Sequence, residues 1–184
     1  IDTEVGNNSA GGAIAIGGNI DGANGNSDEL SCNTDGTSDG DLTFSGIYGG
    51  NNVAGSAALT GDLTIVAGQV DLNDVLVDSG VISVSGSNID LNSTTYTTTT
   101  SGAITFSGNV DVLSTPTVVT TAGGSTATFT GTVTGAVGTE TLTIDSSDTN
   151  GTTDLQGAVS NLSSLIINAG TFTQAAAASL TVGP

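Results

Sequence analysis

The sequence of 184 residues contains no Lys, no Arg and no His, and its 18 Asp and Glu residues give a formal charge of −18 at pH 7. Nucleic-acid binding needs cationic side chains that displace counterions from phosphate, and an anionic membrane repels an acidic surface. The composition therefore argues against both partners. It also requires each carboxylate to face water, accept hydrogen bonds or meet a cation.

The missing basic residues also remove imidazole bases, lysine nucleophiles and guanidinium clamps from enzymatic use. Cys32 is the single cysteine, so no intrachain disulfide forms, and without a histidine to activate it we interpret it as incidental. A carboxylate pair can hydrolyse a neutral glycan, but aromatic residues, which line such grooves, make up only 3% of the chain. We predict a protein that is not an enzyme and requires no cofactor.

Long hydrophobic runs are absent as well, since no segment approaches the ~18 apolar residues of a membrane span. Hydrophobic residues still make up 36% of the chain and alternate regularly, which favours a packed core over disorder. The sequence begins at Ile1 without Met or a charged leader, so we expect a processed or excised piece.

One phrase recurs along the chain, as GDLTIVAGQVDL (61–72), SGVISVSGSNIDL (79–91) and SGAITFSGNVDV (101–112), with a degenerate copy GGAIAIGGNIDG at 11–22. Triplets of the type Leu63-Thr64-Ile65 begin at Leu42, Leu63, Ile82, Ile104, Ala127, Leu142, Leu165 and Leu180. Their intervals of 21, 19, 22, 23, 15, 23 and 15 residues average about 20, which indicates a solenoid.

Apolar residues alternate with period 2 within each repeat, which predicts short strands, and VLVDSG (75–80) supplies a third strand per coil. We therefore predict one parallel β-helix (β-solenoid) domain over residues 1–184, with about 20 residues per coil. An antiparallel β-sandwich is the alternative.

Three segments depart from this regularity. The polar, acidic stretch 22–40 breaks the period and is predicted to be an insertion loop. The two 15-residue intervals are too short for three strands, so a two-strand coil or a slipped anchor makes the register after 130 less regular. QAAAASL (174–180) is predicted to be a turn between strands rather than a helix.

Stacking the repeats predicts outward-facing columns of polar side chains. One column contains Gln69, Asn88 and Asn109 and the other Asp71, Asp90 and Asp111, with Asn19 and Asp21 at the matching places of the early copy. Amides can form ladders between coils. Carboxylates about 5 Å apart repel by roughly 1 kcal/mol in water, so this column is either a solvated acidic face or a set of ligands for bridging Ca²⁺.

Two further acidic clusters combine oxygen ligands with glycine turns, as calcium loops do, although neither matches the EF-hand pattern. The first contains Asp28, Glu29, Asp35, Asp39 and Asp41, and the second contains Asp145, Asp148, Asn150 and Asp154. Each is a candidate calcium site, and otherwise a hydrophilic loop.

The triplet centres form a predicted column of hydroxyls: Thr43, Thr64, Ser83, Thr105, Thr128 and Thr143. Ice-binding solenoids carry threonine arrays, but they need an evenly spaced double row. Threonine is also simply a good strand residue on a solvated face, and this is the interpretation we prefer.

The segments IDLNSTTYTTTTSGAITFSG (89–108) and SLIINAGTFTQAAAASLTV (164–182) resemble the repeat region of filamentous-haemagglutinin-like proteins, large secreted bacterial adhesins. This resemblance covers roughly residues 61–182. It implies a right-handed parallel β-helix on an extracellular filament built for reach and adhesion. The lack of basic residues argues against heparin-like or sulfated glycans as ligands.

These observations predict a structural or adhesive segment of an extracellular bacterial surface fibre or giant adhesin. Its expected partners are neighbouring coils or like subunits end to end, and a host or environmental surface or neutral glycan. The alternative is a self-assembling extracellular filament or sheath subunit that polymerises through its terminal strands.

Overall fold

The computed structural model describes residues 12–17, 30–34, 41–44, 61–77, 79–115, 117–176 and 178–183. These residues form eighteen strands and one short 3₁₀ turn, Asp148–Asn150. In chain order the strands are β1 (Ile14–Ile16), β2 (Leu30–Asn33), β3 (Leu42–Phe44), β4 (Leu63–Val66), β5 (Gln69–Leu72), β6 (Val75–Val77), β7 (Ile82–Leu91), β8 (Thr95–Thr98), β9 (Ile104–Val112), β10 (Thr117–Thr120), β11 (Thr126–Phe129), β12 (Val133–Gly135), β13 (Thr141–Ser146), β14 (Thr152–Leu155), β15 (Val159–Leu162), β16 (Ser164–Ala169), β17 (Thr171–Gln174) and β18 (Leu180–Val182).

The strands stack into three faces around a common interior, and within each face the strands run parallel. Face 1 contains β2, β4, the first half of β7, the first half of β9, β11, β14 and β17. Face 2 contains β1, β3, β5, the second halves of β7 and β9, β12, β15 and β18. Face 3 contains β6, β8, β10, β13 and β16. The predicted β-solenoid is confirmed, and the antiparallel sandwich is wrong because every described strand pair is parallel.

The solenoid makes about five turns at a spacing of roughly 23 residues, somewhat longer than the predicted 20. The short intervals after residue 130 arise from a slipped anchor and not from two-strand coils. Ala127 pairs with Ile104 on face 1, whereas Leu142 pairs with Thr117 on face 3. The 15-residue interval from Ala127 to Leu142 therefore runs from face 1 to face 3 of a single coil.

The predicted insertion at 22–40 contains part of the solenoid. Leu30–Asn33 forms β2, which pairs in register with β4, and Cys32 is buried against the apolar interior. Residues 22–29 and 35–40 lie outside the described residues.

At the other end of the chain, QAAAASL connects β17 to β18 and its described residues contain no helix, as predicted. In the described part of the chain, no helix has the length and hydropathy that a membrane crossing needs.

The interior is a continuous apolar column because period-2 alternation sends one side of every strand inward. In the phrase SGAITFSGNVDV, the side chains of Ile104, Phe106, Val110 and Val112 are all fully buried, as predicted. The Phe106 ring packs against that of Phe129 in the next coil, with centroids 5.2 Å apart. Such contacts between coils bury surface that a single coil would leave exposed.

Gly108, in the middle of the phrase SGAITFSGNVDV, is explained by the close approach of its backbone to that of Gly86. Gly108 lies at the corner between faces 1 and 2 with φ of 149°, and a Cβ atom there would collide with the carbonyl oxygen of Gly86 in the preceding coil. Only glycine adopts this conformation without strain and leaves room for the neighbouring coil. The glycine between the two halves of the phrase thus marks a corner at which stacked coils touch.

Candidate functional site

Face 2 carries the two polar columns that the repeats predict. Gln69, Asn88 and Asn109 pair in register on successive coils, and so do Asp71, Asp90 and Asp111, while Val70, Ile89 and Val110 between them point inward and are fully buried. We call the paired aspartates and amides of these three coils the acidic ladder. Asn19 and Asp21, the predicted continuation, lie outside the described residues.

Two amides of the acidic ladder, those of Gln69 and Asn88, donate hydrogen bonds to its carboxylates. Gln69 Nε2 donates to Asp90 Oδ2 at 3.1 Å, and Asn88 Nδ2 donates to Asp90 Oδ1 at 2.7 Å and to Asp111 Oδ2 at 3.2 Å. The hydroxyl of Thr43 donates to Asp71 Oδ2 at 3.2 Å from the coil below. The amide column therefore offsets part of the repulsion that a stack of bare carboxylates would create.

Asp90, in the middle of the ladder, has a raised pKa. Its partial burial is the largest cause, followed by a hydrogen bond with the Asp71 carboxyl group and by the negative charges of Asp71 and Asp111. The hydrogen bond from Gln69 acts in the opposite direction and lowers the pKa. The Asp90 carboxyl group therefore keeps its proton to a higher pH than an isolated aspartate does.

In the described part of the chain, no group of three or more His, Cys, Asp or Glu side chains is arranged to hold a metal ion, and this includes the stacked aspartates of the acidic ladder. Asp41 is exposed, immediately before β3, and the remaining acidic residues of its cluster lie outside the described residues: Asp28, Glu29, Asp35 and Asp39.

The carboxylates of the second cluster each have their own hydrogen-bond donors. Asp145 accepts from the backbone and hydroxyl of Ser147, Asp148 accepts from the backbone N–H of Gly123, and Asp154 accepts from Gln156 and Thr173. For both Asp145 and Asp154, the largest cause of a lowered pKa is a side-chain hydrogen bond, from Ser147 and from Gln156 respectively. Local turns and strand pairs thus supply each of these carboxylates with hydrogen-bond donors.

The predicted hydroxyl column is wrong at both ends. Thr43 lies on face 2, where it pairs with Asp71, and Thr143 lies on face 3, where it pairs with Val118 and Ile166. The actual column of face 1 comprises Ser31, Thr64, Ser83, Thr105, Thr128, Asp154 and Thr173. Similar triplets occur on all three faces, because all three have the same alternation of inward and outward residues. The sequence pattern therefore does not distinguish the faces.

Glu140 is a buried carboxylate that the sequence analysis did not single out. Its side chain is only 3% exposed and accepts hydrogen bonds from the backbone N–H groups of Val137, Gly138 and Thr139, at 2.9 to 3.2 Å. Burial raises the pKa of Glu140, but these backbone donors outweigh it, and the pKa lies below its ordinary value. The glycine-containing segment GAVGTE, which ends in this glutamate, was the available signal.

No protein-family model, curated protein or solved structure matches the chain. The resemblance to filamentous-haemagglutinin-like proteins therefore stays a prediction that rests on residues 89–108 and 164–182.

Proposed function

We propose that this chain is a non-enzymatic structural or adhesive segment of an extracellular bacterial surface fibre. The observation that carries the proposal is the uninterrupted parallel stacking of the coils from β4 to β18. Successive coils pair with each other in the same way, so every added repeat lengthens the rod by ~4.8 Å and needs no new type of contact. Length, and the surface displayed along it, is the property that such a fold supplies.

The charge distribution disfavours polyanions as ligands of this chain. Face 2 presents the acidic ladder, and face 1 presents mainly hydroxyls between β4 and β11. With no basic side chain anywhere in the chain, a neutral glycan or a neutral surface is the ligand class that meets least electrostatic opposition.

Immunogold electron microscopy of intact cells of the source bacterium tests this function. Antibodies against the 184-residue chain should label fibres at the cell surface, and the label should disappear after external protease treatment. Label confined to the cell interior would overturn the proposal. A glycan array probed with and without calcium then separates an adhesive role, which requires binding, from a purely structural one.

The second candidate is a self-assembling filament or sheath subunit. It is supported by the parallel stacking itself, because a strand edge of one subunit can pair with another subunit in the way that successive coils pair here. Electron microscopy of the purified chain would show filaments if this candidate is correct. The polypeptide mass in natural fibres provides a second test, because this candidate requires a subunit of about the length of this chain.

A further inference from the structure

Face 3 turns two columns of side chains outward along the side of the solenoid. Within each strand they alternate with inward residues, of which Tyr96, Val119 and Ile144 are fully buried. The first column runs in register from β8 to β16, and the second runs from β6 to β10 and continues as Asp145 and Asn168. We call the seven threonine and aliphatic residues of these columns the neutral surface: Leu76, Thr95, Thr97, Val118, Thr120, Thr143 and Ile166.

The neutral surface exposes methyl groups to water. Each of its seven side chains carries at least one methyl group, and Ile166 is 44% exposed. The central column of face 1 holds Ser83, Thr105 and Thr128 in the matching coils, and face 2 holds the acidic ladder. Removal of apolar groups from water is favourable, so the neutral surface gains more from being covered than the centre of either other face.

The charge of the chain disfavours contact between copies through face 2. Two molecules with a charge of −18 repel each other in most orientations, and the acidic ladder concentrates part of that charge on face 2. A contact between two copies of face 3 keeps both ladders away from the interface. Three described carboxylates lie in the strands of face 3 or directly before them, and each accepts hydrogen bonds from its own neighbours: Asp74 from Thr94 and Thr95, Glu140 from the loop before it, and Asp145 from Ser147.

We propose that the neutral surface packs against the neutral surface of a second copy of this chain, so that two solenoids lie side by side. Coils repeat every ~4.8 Å in both copies, so the outward columns of one copy match those of the other in spacing and interdigitate as side chains do between packed sheets. A two-fold axis makes the contact self-complementary. The inference rests on the proposed fibre function, because it names the partner that covers one side of such a fibre.

The size of the neutral surface sets the strength of this contact. The five strands of face 3 span only about 20 Å, so the contact buries a few hundred Å² in each copy, well below the ~800 Å² per partner of a stable complex. We therefore expect a dissociation constant of about 1 mM for the isolated chain. In a fibre with more coils the same contacts are linked and reinforce one another.

Nuclear magnetic resonance of the nitrogen-15-labelled chain tests the contact. Spectra are recorded from ~0.05 to ~2 mM protein in ~0.5 M NaCl, which screens the repulsion between copies. Amide signals of β8, β10 and β13 should shift with protein concentration, whereas those of the acidic ladder should not. This measurement uses the wild-type chain and so does not depend on the folding of a variant.

A pair of aspartate substitutions identifies the face. Val118→Asp places two carboxylates opposite each other in the contact and should raise the dissociation constant at least ~10-fold. Thr105→Asp is the matched control, because Thr105 is also an outward, half-buried strand residue but lies on face 1, and it should leave the concentration-dependent shifts unchanged. Thermal unfolding of both variants checks that the solenoid remains folded.

Three results would overturn the inference: spectra that do not change with protein concentration, shifts that map to face 1 or face 2, and shifts of the neutral surface that appear only when a neutral oligosaccharide is added. The last would assign face 3 to a glycan instead of a second copy. None of them contradicts the proposed fibre function, which is tested separately by labelling at the cell surface.

Discussion

Asp90 pairs in register with Asp71 on the preceding coil, so the two carboxyl groups follow one another along face 2. Amide donors from Gln69 and Asn88 reach Asp90 from two coils and hold it in place. The ladder therefore combines a stable geometry with a charge distribution that opposes it near neutral pH.

Replacing Asp90 with Asn is expected to stabilise the solenoid at pH 7. The pKa of Asp90 is raised in the folded chain, so folding favours the protonated carboxyl group. The contribution of Asp90 to stability is therefore lost as the pH rises from 3.8, the ordinary pKa of an aspartate, through the raised pKa of the folded chain. The side-chain amide that Asp90→Asn introduces stays uncharged and can donate to Asp71, but it gives up one of the two oxygens that accept from Gln69 and Asn88. With this loss and the solvent screening at this partly exposed position, we expect a net gain of at most about 1 kcal/mol at pH 7, or about 2–4 °C in Tm for a chain of this size.

Thermal unfolding between pH 3 and 8 measures this effect. Asp41→Asn, which removes the same charge from an exposed position before β3, is the matched control and should change Tm by much less. The interpretation fails if both variants raise Tm equally, because general charge reduction would then explain the gain.

Calcium bridging of the acidic ladder stays a prediction, and it has a defined pH dependence. A cation binds the ladder best when Asp90 is deprotonated, and the pKa of Asp90 is raised, so any rise in Tm with millimolar calcium should be larger at pH 8 than at pH 5. Asp90→Asn should abolish the rise. Equal Tm values in calcium and in chelator at both pH values would exclude a bridging role.

Glu140→Gln is expected to destabilise the fold by about 2 kcal/mol, because an amide group would replace one of the oxygens that accept three backbone N–H bonds in a buried site. The pKa of Glu140 is lowered, so its contribution is present above the ordinary value of 4.5 and is lost as pH falls below it. The difference in urea midpoint between wild type and variant should therefore shrink at low pH. A constant difference would contradict this role.

Gly108→Ala is expected to cost about 3 kcal/mol, because the added methyl group meets the Gly86 carbonyl and φ lies at 149°. Gly17→Ala provides the control, since none of the described residues other than its chain neighbours comes within 4 Å of a Cβ atom at that position. Its effect should remain within about 0.5 kcal/mol. Similar urea midpoints for the two variants would show that coils do not touch at this corner.

The sequence was most informative where the repeat is least degenerate. The register of Gln69 with Asn88 and of Asp71 with Asp90 could be predicted because each phrase keeps an amide, an apolar and an acidic residue in the same order. The assignment of Leu42 failed for the opposite reason. Its triplet resembles that of Leu63, yet Leu42 pairs with Val70 on face 2, and Leu30 takes the place on face 1.

By itself, the sequence determined that short parallel strands stack into a solenoid, because period-2 alternation and a recurring phrase have few other solutions. Only the tertiary structure decided which face each strand occupies, since an outward threonine has the same local pattern on all three. It also decided that Glu140 is buried among backbone donors. That outcome depends on how distant segments pack around the residue, which a local sequence pattern does not specify.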